Sequence, residues 1–216
     1  MLKAQTHALQ VSWLEKKLGV DVEVAFQQAI LENVPILMGI FQRIYHLHII
    51  VGVAFIVYAY TFFPLNAFQR VRRTIAMDNL LAFLILTTWR CMPPRLLPDE
   101  YGYIDVLHKV PQSVWANNKW QLTIAAMPSL HFGKSAFIGC GLWSFAPRSH
   151  VILRYIALVY PFAMLATILA TVNHFLLDAV VGVLVPIFWW RVQDMLLVLL
   201  PLEEKMFHLL RIEKPA

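Results

Sequence analysis

His131 and His174 each stand at the mouth of an apolar stretch, where an ionisable side chain is costly and usually has a task. Asp178 follows His174 at a spacing that, on a helix, puts both side chains on one face about one turn apart. A carboxylate so placed can fix the imidazole tautomer and leave the other nitrogen free as a nucleophile. Intramembrane His–Asp pairs also serve proton relays, or simply satisfy one another. His131 closes the run Met127-Pro128-Ser129-Leu130-His131. Proline suits a first helical turn, where its missing N–H is not needed. The amides from Ser129 to His131 would then be open donors at the positive end of a helix dipole, a natural cradle for phosphate. Ser129 could add its hydroxyl, and His131 could give a proton to a leaving oxygen. An ordinary helix start with an interfacial histidine would carry the same letters.

Cations come from three further positions. Arg95, within Trp89-Arg90-Cys91-Met92-Pro93-Pro94-Arg95, offers a planar fork matched to phosphate oxygens, and Arg90 lies close by in sequence. Lys134, one turn after His131, could touch phosphate or snorkel to headgroups. Arginines just past a span end also serve as plain headgroup anchors. His46 and His48 precede an apolar stretch without an acidic partner and read as interfacial. Arg70, Arg72 and Arg73 read as topology anchors on the other face, and Trp189, Trp190 and Arg191 as an aromatic belt with a basic cap.

Five apolar spans can position these groups: about Ile44–Phe63, Thr74–Trp89, Ser129–Phe145, His150–Val172 and Phe175–Trp190. Val22–Ile44 has helical spacing but carries Gln27, Gln28, Glu32 and Asn33, so it either lies in the interface or completes a sixth span. The expected fold is an all-α integral membrane bundle of about five or six transmembrane helices. It forms a single domain, 1–216: residues 1–43 are an N-terminal amphipathic segment or an extra span, 90–127 an active-side loop, and 191–216 a C-terminal tail. In that loop prolines 93, 94, 98 and 111 break any long helix, and Trp115 and Trp120 suit headgroup level. Tracing the crossings puts Arg90, Arg95, His131 and His174 all on one membrane face.

Composition supports the bilayer. Of 216 residues, 59% are hydrophobic and 14% charged, against about 25% charged in ordinary soluble proteins. Mean hydropathy is +0.62. Met1–Val20 lacks a continuous apolar core of the signal-peptide kind, so the first hydrophobic helix is expected to direct insertion. The net charge of +5 is scattered between spans, a pattern that sets topology and touches headgroups rather than nucleic acid. Cys91 and Cys140 form neither a CxxC motif nor a zinc spacing, and no disulfide is expected.

Pro128-Ser129-Leu130-His131 followed by His174-x-x-x-Asp178 resembles the type 2 phosphatidic acid phosphatase superfamily over roughly Arg90 to Gly182. The Met-Pro-Ser-Leu-His form and the span layout are most similar to its inositol-phosphorylceramide-synthase-like branch. The resemblance implies a membrane bundle that needs no metal or other cofactor. It implies that His174 attacks phosphorus, Asp178 supports it, His131 protonates the leaving group, and Ser129 and Arg95 hold phosphate. Water or a lipid alcohol would then take the phosphoryl group from a phosphohistidine.

The chain departs from the family pattern in three places. Thr88 stands where the first motif usually has lysine, and Arg95 is preceded, not followed, by proline. Thr167 and Ile168 replace the Ser-Arg of phosphatase members, as in the synthase-like branch. Asn173 stands where that branch often has histidine.

The expected function is therefore metal-independent phosphatase or phosphotransferase action on a lipid phosphate or isoprenyl diphosphate. Inositol-phosphoryl transfer to a sphingolipid or other lipid acceptor, and headgroup binding without catalysis, are the alternatives. Vanadate-dependent halide oxidation fits poorly with a bilayer setting. Expected partners are the lipid substrate and membrane lipids. Positive charge around Arg70–Arg73, Arg148 and the tail favours a cytosolic side there, with the active face in the lumen of the endoplasmic reticulum or Golgi.

Overall fold

A computed structural model describes residues 2–107 and 125–210. Trp115, Trp120 and Pro111 lie outside the described residues. Within them the chain is helical: α1 (Leu2–Leu18), α2 (Glu23–Asn33), α3 (Ile36–Phe62), α4 (Leu65–Thr88), α5 (Leu130–Phe145), α6 (Val151–Ala170), α7 (Leu176–Val192) and α8 (Leu200–Leu209), with short 3-10 turns between some of them.

Prolines set several boundaries. Pro35 precedes α3 and Pro64 precedes α4, each where a missing N–H costs nothing. Pro93, Pro94 and Pro98 hold the segment after α4 to two 3-10 turns. Among the described residues three helices are long and apolar enough to cross a membrane: Ile36–Phe62, Val151–Ala170 and the α7 region Leu176–Leu199. α4 is long enough but carries Arg70, Arg72, Arg73 and Asp78. α5 is apolar but has only 16 residues, about 24 Å at 1.5 Å per residue.

The helices correct several expected boundaries. The first span begins at Ile36 rather than Ile44, because Pro35 ends the polar run at α2 and frees the chain to restart. Residues 1–43 therefore comprise α1, α2 and the opening of α3. α4 reaches back to Leu65, past the arginines that made its first half read as a loop. Two arginines of that half are tied to the end of α7: Arg70 lies 4.6 Å from the Trp190 ring centroid, and Arg73 pairs with Asp194 at 3.7 Å.

α5 is the central helix, packed most heavily on α6 and α7. Glycine permits this. A Cβ on Gly133 would collide with the Gly182 carbonyl of α7, and one on Gly182 with the Ser129 carbonyl. A Cβ on Gly139 would come within 2.6 Å of the Ala157 carbonyl of α6. These contacts, Gly133 against Gly182 and Gly182 against Ser129, bring the α5 and α7 backbones together within the first two turns of each helix, close to His131 and His174. Further along, Phe55, Phe63, Ala67, Val71, Ile138, Leu142 and Ala157 build an apolar core across α3, α4, α5 and α6. Outward, Ile49, Val53 and Val57 of α3, Ile152, Val159 and Phe162 of α6, and Leu184 and Phe188 of α7 are exposed. Such broad apolar faces are what lipid tails cover.

α1 buries Ala4, Ala8, Val11, Ser12 and Glu15, one stripe at helical spacing. The stripe packs on Cys91, Met92, Leu97, Ala126 and Phe175, so α1 braces the loops that bear the candidate chemistry.

Candidate active site

His174 lies in the tight turn between α6 and α7. Val172 holds φ 44 there, a left-handed conformation rare for a β-branched residue, and it is fully buried. Such backbone strain, of order 1–3 kcal/mol, persists where the surroundings over-determine it. The surroundings are evident: the Val172 carbonyl accepts from the Arg95 amide (3.0 Å), and the Asn173 amide donates to the Ile168 carbonyl (3.2 Å).

The turn aims the His174 ring into the bundle at 5% exposure. Its Nδ1 lies 2.7 Å from the carbonyl of Ala126. A carbonyl can only accept, so Nδ1 carries the proton and Nε2 keeps its lone pair. Nε2 is buried and has no hydrogen-bond partner among the described residues. The imidazole is therefore held in the tautomer that leaves the Nε2 lone pair open, the form a nucleophilic role would need.

Asp178 takes a different part from the one its spacing indicates. Its Oδ2 accepts from the Phe175 amide (2.9 Å), capping α7, and stands 3.8 Å from His174 Nδ1, beyond hydrogen-bond reach. Tautomer control belongs to Ala126. The Asp178 backbone carbonyl accepts from the Ser129 amide (3.0 Å), tying α5 to α7.

That bond also changes the anion cradle. The Ser129 amide is spent on Asp178, and Ser129 Oγ accepts from the Phe132 amide (3.4 Å) as the N-cap of α5. The amides of Leu130 and His131, in the first helical turn, have no intrahelical acceptor and remain as donors. The Ser129 hydroxyl proton is left to give. The His131 ring lies 5.6 Å from that of His174, centroid to centroid. It is stacked flat on Tyr45 of α3 at 4.1 Å and lies 5.1 Å from His48.

Arg95 approaches from the segment after α4. Its Nε donates to Asn173 Oδ1 (2.6 Å) and its Nη1 to Asp105 Oδ2 (3.2 Å), which fixes a buried guanidinium one residue from His174. Asn173, at the position where the resembled branch often has histidine, serves as the anchor for that arginine. Arg90 is not brought in: it is exposed, and its carbonyl accepts from His7 Nδ1 (2.7 Å). Lys134 turns to α4 instead, donating to Asn79 Oδ1 (2.6 Å). A cavity of about 410 Å³ lies between α5 and α7, lined by Gly133, Phe137, Cys140 and Trp190 among others. At 3.6 residues per turn these α5 positions face away from His131, so the cavity is separate from the histidines.

A model of the PAP2 superfamily matches residues 9–191, most of the chain and both motifs. The chain belongs to the PAP2 superfamily. No curated protein and no solved structure matches it. PAP2 members are generally phosphatases or phosphotransferases acting on phosphate substrates, and are often membrane-bound. In this PAP2 chain His131, His174, Asp178, Ser129 and Arg95 converge, whereas Arg90 is exposed and Lys134, within electrostatic reach of His131, spends a hydrogen bond on Asn79. The arginine that phosphatase members carry ahead of the third motif has no counterpart: Ile168 is fully buried in a cluster with Met164, Leu169 and Ala179.

Several neighbours were not legible as site residues. His48 read as interfacial, yet it is buried deep in α3 and bonded to Tyr160, because α3 starts well before it. Its signal is an ionisable group far inside a span. Glu15 of α1 and Glu23 of α2 accept from the Leu177 (2.8 Å) and Leu176 (2.7 Å) amides. Two carboxyl groups thus accept from open amides at the start of the helix that follows His174. Burial, then the charge of Glu23, pushes the Glu15 carboxyl up to about 8, and burial also raises Glu23. Ala126 contributes through its backbone, which no side-chain pattern announces.

Proposed function

We propose that this chain is a metal-independent lipid phosphatase or phosphotransferase that works through a phosphohistidine on His174. The observation that carries the reading is the buried Nε2 of His174, without a hydrogen-bond partner among the described residues, with Nδ1 pinned to Ala126 and the His131 ring beside it. Nε2 attacks phosphorus and an N–P bond forms. The P–O bond to the leaving group breaks, and His131 gives its proton to that oxygen. Arg95, the Ser129 hydroxyl and the Leu130 and His131 amides gather the phosphate oxygens, whose charge the transition state redistributes. Water or a lipid alcohol then attacks phosphorus, His131 takes the proton, and the N–P bond breaks to restore His174.

The substrate is a lipid phosphate or isoprenyl diphosphate, taken from the bilayer. The chain sits in the endoplasmic reticulum or Golgi membrane with five or six spans, α4 and α5 crossing beside the three more apolar helices, and with the site on the lumenal face. Ile168 in place of the phosphatase arginine supports the inositol-phosphorylceramide-synthase-like branch, in which an alcohol rather than water is the acceptor. Labelled lipid phosphates supplied with and without an inositol or ceramide acceptor separate the two fates.

His174→Ala should reduce turnover of a lipid mono- or diphosphate by about 10³-fold or more while the protein still folds. Retained turnover removes the nucleophile assignment. Headgroup binding without catalysis is the second reading, favoured by Thr88 in the lysine position and by Asp105 already occupying Arg95. Phosphate release that disappears in both histidine variants excludes it.

A further inference from the structure

His48 belongs to a chain of rings that crosses the bundle. Tyr160 of α6 bonds it, at 2.7 Å between hydroxyl and Nδ1. The His48 ring lies 5.1 Å from His131 of α5, which in turn lies 5.6 Å from His174 at the head of α7. Four helices or their mouths each contribute one ring. Tyr45, one turn before His48 on α3, stacks on His131 with planes 18° apart. His131 is thus gripped by two residues of one helix, and the deeper of them is anchored to a third helix.

An imidazole at 6% exposure inside a membrane-spanning helix is retained against a substantial desolvation cost. Packing does not require it, since a phenylalanine would fill the same space. What a phenylalanine lacks is the bond to Tyr160, and that bond fixes the ring lying against His131.

We propose that His48, held by Tyr160, is a positioning residue that orients the His131 ring for proton transfer to the leaving oxygen. The inference rests on the phosphoryl-transfer reading above. It adds α3 and α6 to a site whose motif residues lie on α5, α7 and the segment after α4. A group that orients the acid matters where the leaving oxygen needs a proton and matters little where it does not. An alkoxide leaving group needs one; a stabilised aryl oxide does not.

The test compares turnover of an alkyl lipid phosphate with that of an aryl phosphate bearing a tail of the same length, in the full-length protein in detergent. Both rates come from one preparation, so a lower folded fraction cancels in their ratio. His131→Ala should cut the alkyl-to-aryl ratio by about 10²-fold, the scale of a lost general acid. His48→Phe should cut it about tenfold, and His48→Gln, which can still bond Tyr160, should recover part of the loss. Tyr160→Phe, a one-atom change, should move the ratio the same way by about threefold. In the His131→Ala background His48→Phe should change the ratio no further, as expected of residues acting as a unit. An unaltered ratio in both His48→Phe and Tyr160→Phe, with the two rates falling together or not at all, overturns the positioning role and leaves the phosphohistidine reading intact. A wild-type protein that turns over neither compound, or a His174→Ala protein that turns over both, overturns the parent reading and this inference with it.

Discussion

Asp178 Oδ2 accepts from the Phe175 amide and stands 3.8 Å from His174 Nδ1. Four positions after His174, its carboxylate would be expected to hold the imidazole, yet it caps the Phe175 amide while Ala126 holds the ring. Cap and charge can be separated by substitution. Asp178→Asn keeps an acceptor for the Phe175 amide, so its thermal midpoint in detergent should stay near wild type while kcat falls with the lost charge. Asp178→Ala should lose kcat and, in addition, about 1 kcal/mol of stability, the typical value of a helix cap. Equal stability in the two variants would show that the cap contributes nothing. His131, His174 and Arg95 could be picked out as candidates from residue type and order, since phosphoryl transfer would need a nucleophile, an acid and a cation. The partners that orient them were not. Ala126 acts through its backbone, Asn173 anchors Arg95 across 78 positions, and His48 meets Tyr160 across 112.

The elements are matched to each other by small side chains and by caps. α5 meets α7 through Gly133 and Gly182 with no room for a Cβ. Gly133→Ala should therefore push the helix ends apart, costing about 1–3 kcal/mol in stability. Activity should fall further than stability, because the displaced ends carry His131 and His174. A variant with wild-type kcat would show that the close contact does not set the site. The carboxyl pair from α1 and α2 on α7 gives a pH dependence whose sign follows from Glu15. In the folded chain that group stays protonated up to about 8, whereas unfolded it ionises from 4.5. The folded state therefore binds the extra proton between those values, and stability declines as pH rises through that window. Thermal midpoints measured across it should slope downward, and Glu15→Gln should flatten the slope; a slope unchanged in that variant would deny the pair this role. Helix positions were largely legible from apolar runs. The arginines of α4 hide its first half until their partners, Trp190 and Asp194 at and just past the end of α7, are known, and the role of α1 is hidden because its Glu15 carboxyl meets a backbone far along the chain.

On the scale of the whole molecule, the bundle sets both candidate histidines near one end of its helices and leaves broad apolar faces on α3, α6 and α7 for lipid. A phosphate at the end of a bundle and a tail alongside it is the geometry a membrane-resident phosphoryl transferase requires. The central claim is covalent: His174 carries the phosphoryl group between donor and acceptor. Brief incubation of the purified protein with a lipid phosphate labelled at phosphorus, followed by denaturing mass spectrometry, tests it directly. Phosphate is expected on the peptide containing His174, released by mild acid, stable to base and missing from His174→Ala. Turnover without a labelled peptide at that position, or the same label in His174→Ala, would contradict it.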